Sequence, residues 1–158
     1  MAYKIFLSHS MAHEDLNLLT SFVSLLRTKG IESYLAERDW QPGTPLPQKI
    51  KAAIRASDCM VAFLTKAGDH SRWVHQEIGF AEAIPLRRIP IVEKGVDIAG
   101  FDLGREYVSL DRAAPLQTLH NLTAFLDGLK TKKEQGESIF VFGAILLGFI
   151  AIFGSGKK

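Results

Sequence analysis

The chain has 158 residues, 47% of them hydrophobic and 23% charged, with a net charge of +2. That length supports one domain with a real core, and the composition is far from that of a disordered chain. The small charge excess gives no case for nucleic acid, and the single cysteine, Cys59, excludes an internal disulfide and points to a reducing compartment.

Apolar runs alternate with amphipathic stretches, the pattern of a parallel sheet covered by helices on both faces. Lys4–Leu7 reads as a first buried strand, and Tyr3 to Leu7 is too short for the apolar core of a signal peptide and is stopped by Ser8-His9-Ser10. Leu16, Leu19, Phe22, Val23, Leu25 and Leu26 recur at helical spacing, and Gly30 stops that helix. Ser33–Ala36 is expected as a short second strand. The three prolines and one glycine between Glu37 and Pro47 call for an exposed loop. A helix over Lys49–Ala56 leads into the strongest strand, Cys59–Leu64. Ser71 is placed to cap a helix reaching Ala83, which Pro85 ends. Ile89–Val92 and Tyr107–Leu110 supply the last strands. Leu116, Leu119, Leu122, Phe125, Leu126 and Leu129 form one face of a closing helix.

The C-terminal region is of a different kind. Residues 1–130 read as the folded domain, 131–138 as a charged linker and 139–156 as a membrane-spanning helix. Ile139 to Phe153 holds no charged residue. Fifteen to eighteen helical residues span roughly 22–27 Å, slightly less than a hydrocarbon core of about 30 Å. A buried terminal helix would normally keep a polar stripe, and this segment has none. The expectation is a single C-terminal pass in contact with membrane lipid, with the domain on the cytoplasmic side.

Open parallel sheets bind ligands beyond the carboxyl ends of their strands. Ser8-His9-Ser10, the Glu37–Pro47 loop and Thr65 with the following helix stand at such ends. No glycine-rich phosphate loop follows a strand. His9 and His13 lack the partners of a metal site, so no metal is expected. Ser8 or Ser10 beside His9 lacks a nucleophile setting, and capping the next helix is the simpler role. Trp73 and Glu77 lie four residues apart on one helix and face the same way. An aromatic face beside a carboxylate suits a flat cationic ring attached to a sugar. Spacing alone leaves open a core tryptophan beside a solvated glutamate.

Three segments carry a family resemblance. Tyr3-Lys4-Ile5-Phe6-Leu7-Ser8-His9-Ser10 resembles the first box of Toll/interleukin-receptor (TIR) domains. Arg38-Asp39-Trp40-Gln41-Pro42-Gly43 is similar to the second box, R-D-x-x-P-G. Ser71-Arg72-Trp73-Val74-His75-Gln76-Glu77 resembles the W-x-x-x-E helix motif of NAD-cleaving, prokaryotic-type members. The aromatic pair of the family's third box is missing, as it often is in prokaryotic members. The resemblance covers about Tyr3 to Lys130. It implies a flavodoxin-like TIR fold with a five-stranded parallel sheet in the order 2-1-3-4-5, followed here by the apolar C-terminal helix.

The same resemblance implies an NAD⁺ glycohydrolase or cyclase with NAD⁺ as substrate and no cofactor. Glu77 would be the catalytic carboxylate, with Ser8, His9, Ser10, Arg38, Asp39, Trp40 and Trp73 around the substrate. Such members complete their site by self-assembly with other TIR domains, in immune or antiviral defence signalling. The alternative is a non-catalytic, membrane-tethered adaptor that works through TIR–TIR contacts of the Arg38–Gly43 loop.

Overall fold

A computed structural model describes residues 2–35, 45–68, 72–98 and 107–136, with the side chains of residues 72 and 73 left out. The segment 139–156, expected to span a membrane, lies outside the described residues. Among those described, no helix is long and apolar enough to cross one.

Five parallel strands, β1 (Tyr3–Ser8), β2 (Ile31–Leu35), β3 (Cys59–Leu64), β4 (Arg87–Glu93) and β5 (Val108–Leu110), line up in the order β2-β1-β3-β4-β5. This is the order that the resemblance implies. Among the described residues, four α-helices connect or follow them: α1 (His13–Thr28), α2 (Gln48–Arg55), α3 (Arg72–Glu82) and α4 (Pro115–Glu134). β3 is buried at all six positions, as a strand covered on both faces must be. Its alternate residues divide between two cores. Cys59, Val61 and Phe63 pack with α1 and α4, where Phe22 meets Phe63 edge-on at 5.8 Å. Met60, Ala62 and Leu64 pack with α2 and α3 around Ile50, Ile54 and Ile78. Each fully buried leucine or isoleucine contributes about 1.5–3 kcal/mol relative to exposure.

Several boundaries differ from the expected ones. β2 starts at Ile31 rather than Ser33, because Ile31 and Glu32 pair with Tyr3 and Lys4. Gly30, with φ +63°, turns the chain from α1 directly into that strand. β4 tolerates Pro90 because β5 pairs with it only from Ile91 onward. Leu116 is exposed instead of core-facing, and Thr118 and Thr123 take buried positions on α4. Pro115 opens this helix, where a missing N–H costs nothing.

α4 also continues to Glu134, so its last turn absorbs the first four residues of the stretch expected as linker. The reason is tertiary. Lys130 Nζ donates to the Lys29 carbonyl at 2.8 Å, and Lys133 Nζ reaches Asp58 at 2.7 Å. Both lysines sit at a helix C-terminus, where the helix dipole favours positive charge.

Candidate functional site

The strand order reverses between β1 and β3, and the crevice outside their carboxyl ends is where sheets of this kind place ligands. Ser8 ends β1 opposite Ala62 of β3, with its side chain on the α2–α3 side of the sheet. Glu77 reaches the same point from α3. Val74, Glu77, Ile78 and Ala81 are all buried and follow one another at i, i+3, i+4 and i+7, so the carboxylate stands within the apolar stripe that seats the helix. The Ser8 hydroxyl donates to Glu77 Oε2 at 2.5 Å, and both residues are 0% exposed. A solvated, helix-surface Glu77 is therefore corrected: the carboxylate is inside the fold, where charge interactions are strengthened by the low local dielectric.

Ser10 does not join that pair. His9 is buried, and its Nδ1 lies 2.6 Å from the Ser10 carbonyl. A carbonyl only accepts, so the proton of this bond sits on Nδ1. Ser10 turns toward α1, donating to Asp15 Oδ2 at 2.5 Å and accepting from Ala12 N at 3.2 Å. Neither Ser8 nor Ser10 caps α1. The cap position is Ala12, which makes no side-chain cap bond.

Asp15 organises a second polar cluster that sequence reasoning missed. It is 1% exposed, and its carboxylate also accepts from Thr65 Oγ1 at 2.5 Å and pairs with Arg112. Arg112 Nη1 donates to the Glu14 carbonyl at 3.3 Å, and its Nε faces Glu93 at 3.3 Å. Glu93 in turn accepts from the Lys66 backbone N–H at 2.9 Å. Partial burial opposes the Arg112 charge, but the bonds and charges of Asp15 and then Glu93 outweigh it and hold the guanidinium above its usual pKa. The cluster ties together the carboxyl ends of β1, β3 and β4 and the turn after β5.

Gly68 closes against this cluster. Its N–H donates to Thr65 Oγ1 at 3.1 Å, and a Cβ there would stand 2.7 Å from Ser10 Cβ. The only cue in the sequence was an aspartate in the first turn of an otherwise apolar-faced helix. Its arginine partner lies 97 residues away.

Arg38, Asp39 and Trp40 lie outside the described residues, as does the side chain of Trp73, so their expected places around the substrate rest on the resemblance. Among the described residues, no three histidines, cysteines, aspartates or glutamates are grouped to hold a metal. A groove of about 410 Å³ runs between β2 and α2 past Tyr34, Ala52, Ala53 and Ala56, away from Ser8 and Glu77.

The comparisons agree with this architecture. A family profile described as TIR domain matches residues 5–122, and the chain belongs to the TIR domain family. No curated protein matches it. Among solved structures, the TIR domain of a Toll-related receptor from Hydra magnipapillata is 19% identical with a TM-score of 0.60, covering 79% of this chain and 98% of that one. A prokaryotic SEFIR domain is 16% identical with a TM-score of 0.56, over 79% and 92% of the two chains. A CMP N-glycosidase from Clostridium botulinum is 19% identical with a TM-score of 0.55, over 77% and 98%. At these identities the likeness is one of fold.

Proposed function

We propose that this TIR domain is an NAD⁺ glycohydrolase that works as a self-assembled, membrane-anchored unit in defence signalling. What carries the reading is the buried Ser8–Glu77 pair at the carboxyl end of β1, within a W-x-x-x-E frame. In the proposed reaction the bond between nicotinamide N1 and ribose C1′ breaks, and its electron pair leaves with the ring as neutral nicotinamide. Water adds to C1′ and loses a proton, giving ADP-ribose; attack by a nucleophile of the same molecule gives a cyclic product. The protein need only stabilise positive charge as it builds on the ribose.

Glu77 suits that task. Its carboxylate already accepts one hydroxyl, and a ribose hydroxyl can take the place of Ser8 Oγ while the charge steadies the oxocarbenium-like transition state. Ser8 then serves as the resting partner that orients the carboxylate. By resemblance, Trp73 packs the cationic ring and the Arg38–Gly43 loop lines the cleft. The CMP N-glycosidase on the same fold supports the reaction class, since its name denotes cleavage of a base–ribose bond. No cofactor is required. Membrane attachment is assigned to Ile139–Phe153, with the domain on the cytoplasmic side.

One observation favours the adaptor reading instead. Glu77 is fully enclosed, and an adaptor could use the Ser8–Glu77 bond simply to lock α3 on the sheet. Incubating the full chain with NAD⁺ and measuring free nicotinamide separates the two. The enzyme releases it, and Glu77→Gln, which keeps the side-chain shape and an acceptor for Ser8, slows release by about 10²–10³-fold without loss of the folded state. A wild-type chain that self-associates but releases no nicotinamide is an adaptor.

A further inference from the structure

Among the described residues, the two ends of the sheet carry opposite charge. In this fold each helix runs back against the strands, so helix C-termini gather at the amino edge of the sheet, where their dipoles favour cations. Arg27 and Lys29 end α1, Arg55 ends α2, and Lys130, Lys132 and Lys133 end α4. Lys4 stands exposed near the start of β1, and Arg87 opens β4. Asp127, Asp58 and Glu134 pair with Lys29, Lys133 and Lys130, and Glu82 pairs with Arg88. Even with Glu32 added to these acids, the edge keeps an excess of positive charge. At the carboxyl edge the described groups run the other way. Glu14, Asp15, Glu77, Glu93, Asp97 and Asp111 outnumber Lys49, Lys66, Lys94 and Arg112 there.

The chain also leaves the described domain at the basic edge. Lys133 lies over the Tyr3 ring at 5.8 Å, which fixes the last turn of α4 beside the start of β1. The helix ends at Glu134, and Gly136 is the last described residue. From Gly136 to Ile139, the first residue of the uncharged apolar run, the backbone can reach at most about 10 Å. That is comparable to the screening length of about 10 Å at 0.1 M salt. An apolar run that begins at a bilayer surface therefore holds this edge within range of the headgroup charge.

We infer that the amino edge of the sheet is a docking face for an anionic bilayer, which turns the Ser8–Glu77 end away from the lipid. The inference rests on the membrane attachment proposed above and is independent of any catalytic activity. Lys4, Arg27 and Arg55 are exposed and face headgroup phosphates in this orientation, as juxtamembrane cations do at acidic surfaces. The carboxyl edge, richer in carboxylates, is repelled by the same surface.

The test uses the full chain with one added cysteine, Thr28→Cys at the basic edge or Met11→Cys in the loop after β1, both at exposed positions. A fluorophore on each is read with vesicles of phosphatidylcholine alone or mixed with phosphatidylglycerol, using a quencher on the lipid headgroups. The expected result is several-fold stronger quenching at position 28 than at position 11 with phosphatidylglycerol. High salt and the Lys4→Glu, Arg27→Glu double variant should abolish the difference. Equal quenching at both positions, or quenching indifferent to phosphatidylglycerol, overturns the docking face. Flotation with phosphatidylcholine alone reports the apolar anchor separately. A chain that floats only with phosphatidylglycerol and is quenched at position 28 supports the face and removes the anchor; one that floats with neither overturns both.

Discussion

Replacing Arg112 by methionine would leave the Asp15 carboxylate buried without its cation. Asp15 is 1% exposed, and among the described residues its other partners are the Ser10 and Thr65 hydroxyls. Removing one member of a buried ion pair costs about 3–5 kcal/mol, because the remaining charge stays out of water. Two features place this case at the low end. Both hydroxyl bonds survive, and the Arg112 side chain is 29% exposed, so water can replace part of the guanidinium. The expected loss is about 3 kcal/mol, which for a domain of this size lowers Tm by roughly 10 °C. Thermal and urea unfolding followed by far-ultraviolet circular dichroism read both quantities. Adding Asp15→Asn removes the stranded charge and should recover at least about 1 kcal/mol relative to the sum of the single variants. A loss below about 1 kcal/mol for Arg112→Met, the value of an exposed ion pair, would refute the reasoning, as would strict additivity in the double variant.

Two further predictions concern the interior. Gly68→Val sets a branched side chain against Ser10 Cβ, 2.7 Å from the added Cβ, and Thr65 Oγ1, 3.1 Å away; it should destabilise the chain by about 1–3 kcal/mol in urea titration, whereas the same change at Gly79, which meets nothing within 4 Å, should cost less. Burial pushes the Cys59 thiol up to about 12, so a disulfide reagent should leave it untouched in the folded protein at neutral pH and label it fully in denaturant. The sign of its pH dependence follows. The unfolded chain loses this proton at a lower pH than the folded one, so the contribution is complete below about pH 9, declines as pH rises, and is gone above about 12.

Much of the architecture was legible in local pattern. Cys59–Leu64 is an unbroken apolar run and is a strand over those same residues, because a strand covered on both faces needs no alternation. The Leu16–Leu26 periodicity and Gly30 located α1 and its stop, since helix faces and left-handed turns leave marks within a few residues. The first-box and R-D-x-x-P-G segments, in order around these elements, carried the resemblance to the TIR domain family, and the family profile bears out that family.

What only the tertiary structure decided is how the polar residues of the Ser8-His9-Ser10 segment divide. Ser8 ends on the α3 side against Glu77, 69 residues away, and Ser10 on the α1 side against Asp15. Strand alternation would put residues two apart on the same face, but β1 ends at Ser8, so Ser10 is placed by the turn into α1, and which helix each residue meets depends on the sheet order rather than on the residues themselves. Glu77 looked like a surface carboxylate because glutamate usually is one. It is buried because Val74, Ile78 and Ala81 bring that face of α3 down onto β1 and β3, where Ser8 offers a donor. The Asp15–Arg112 pair spans 97 residues, and no spacing rule reaches that far. Long-range pairs of charge are made by the closing of the sheet, so their partners become visible only once the strands are in place.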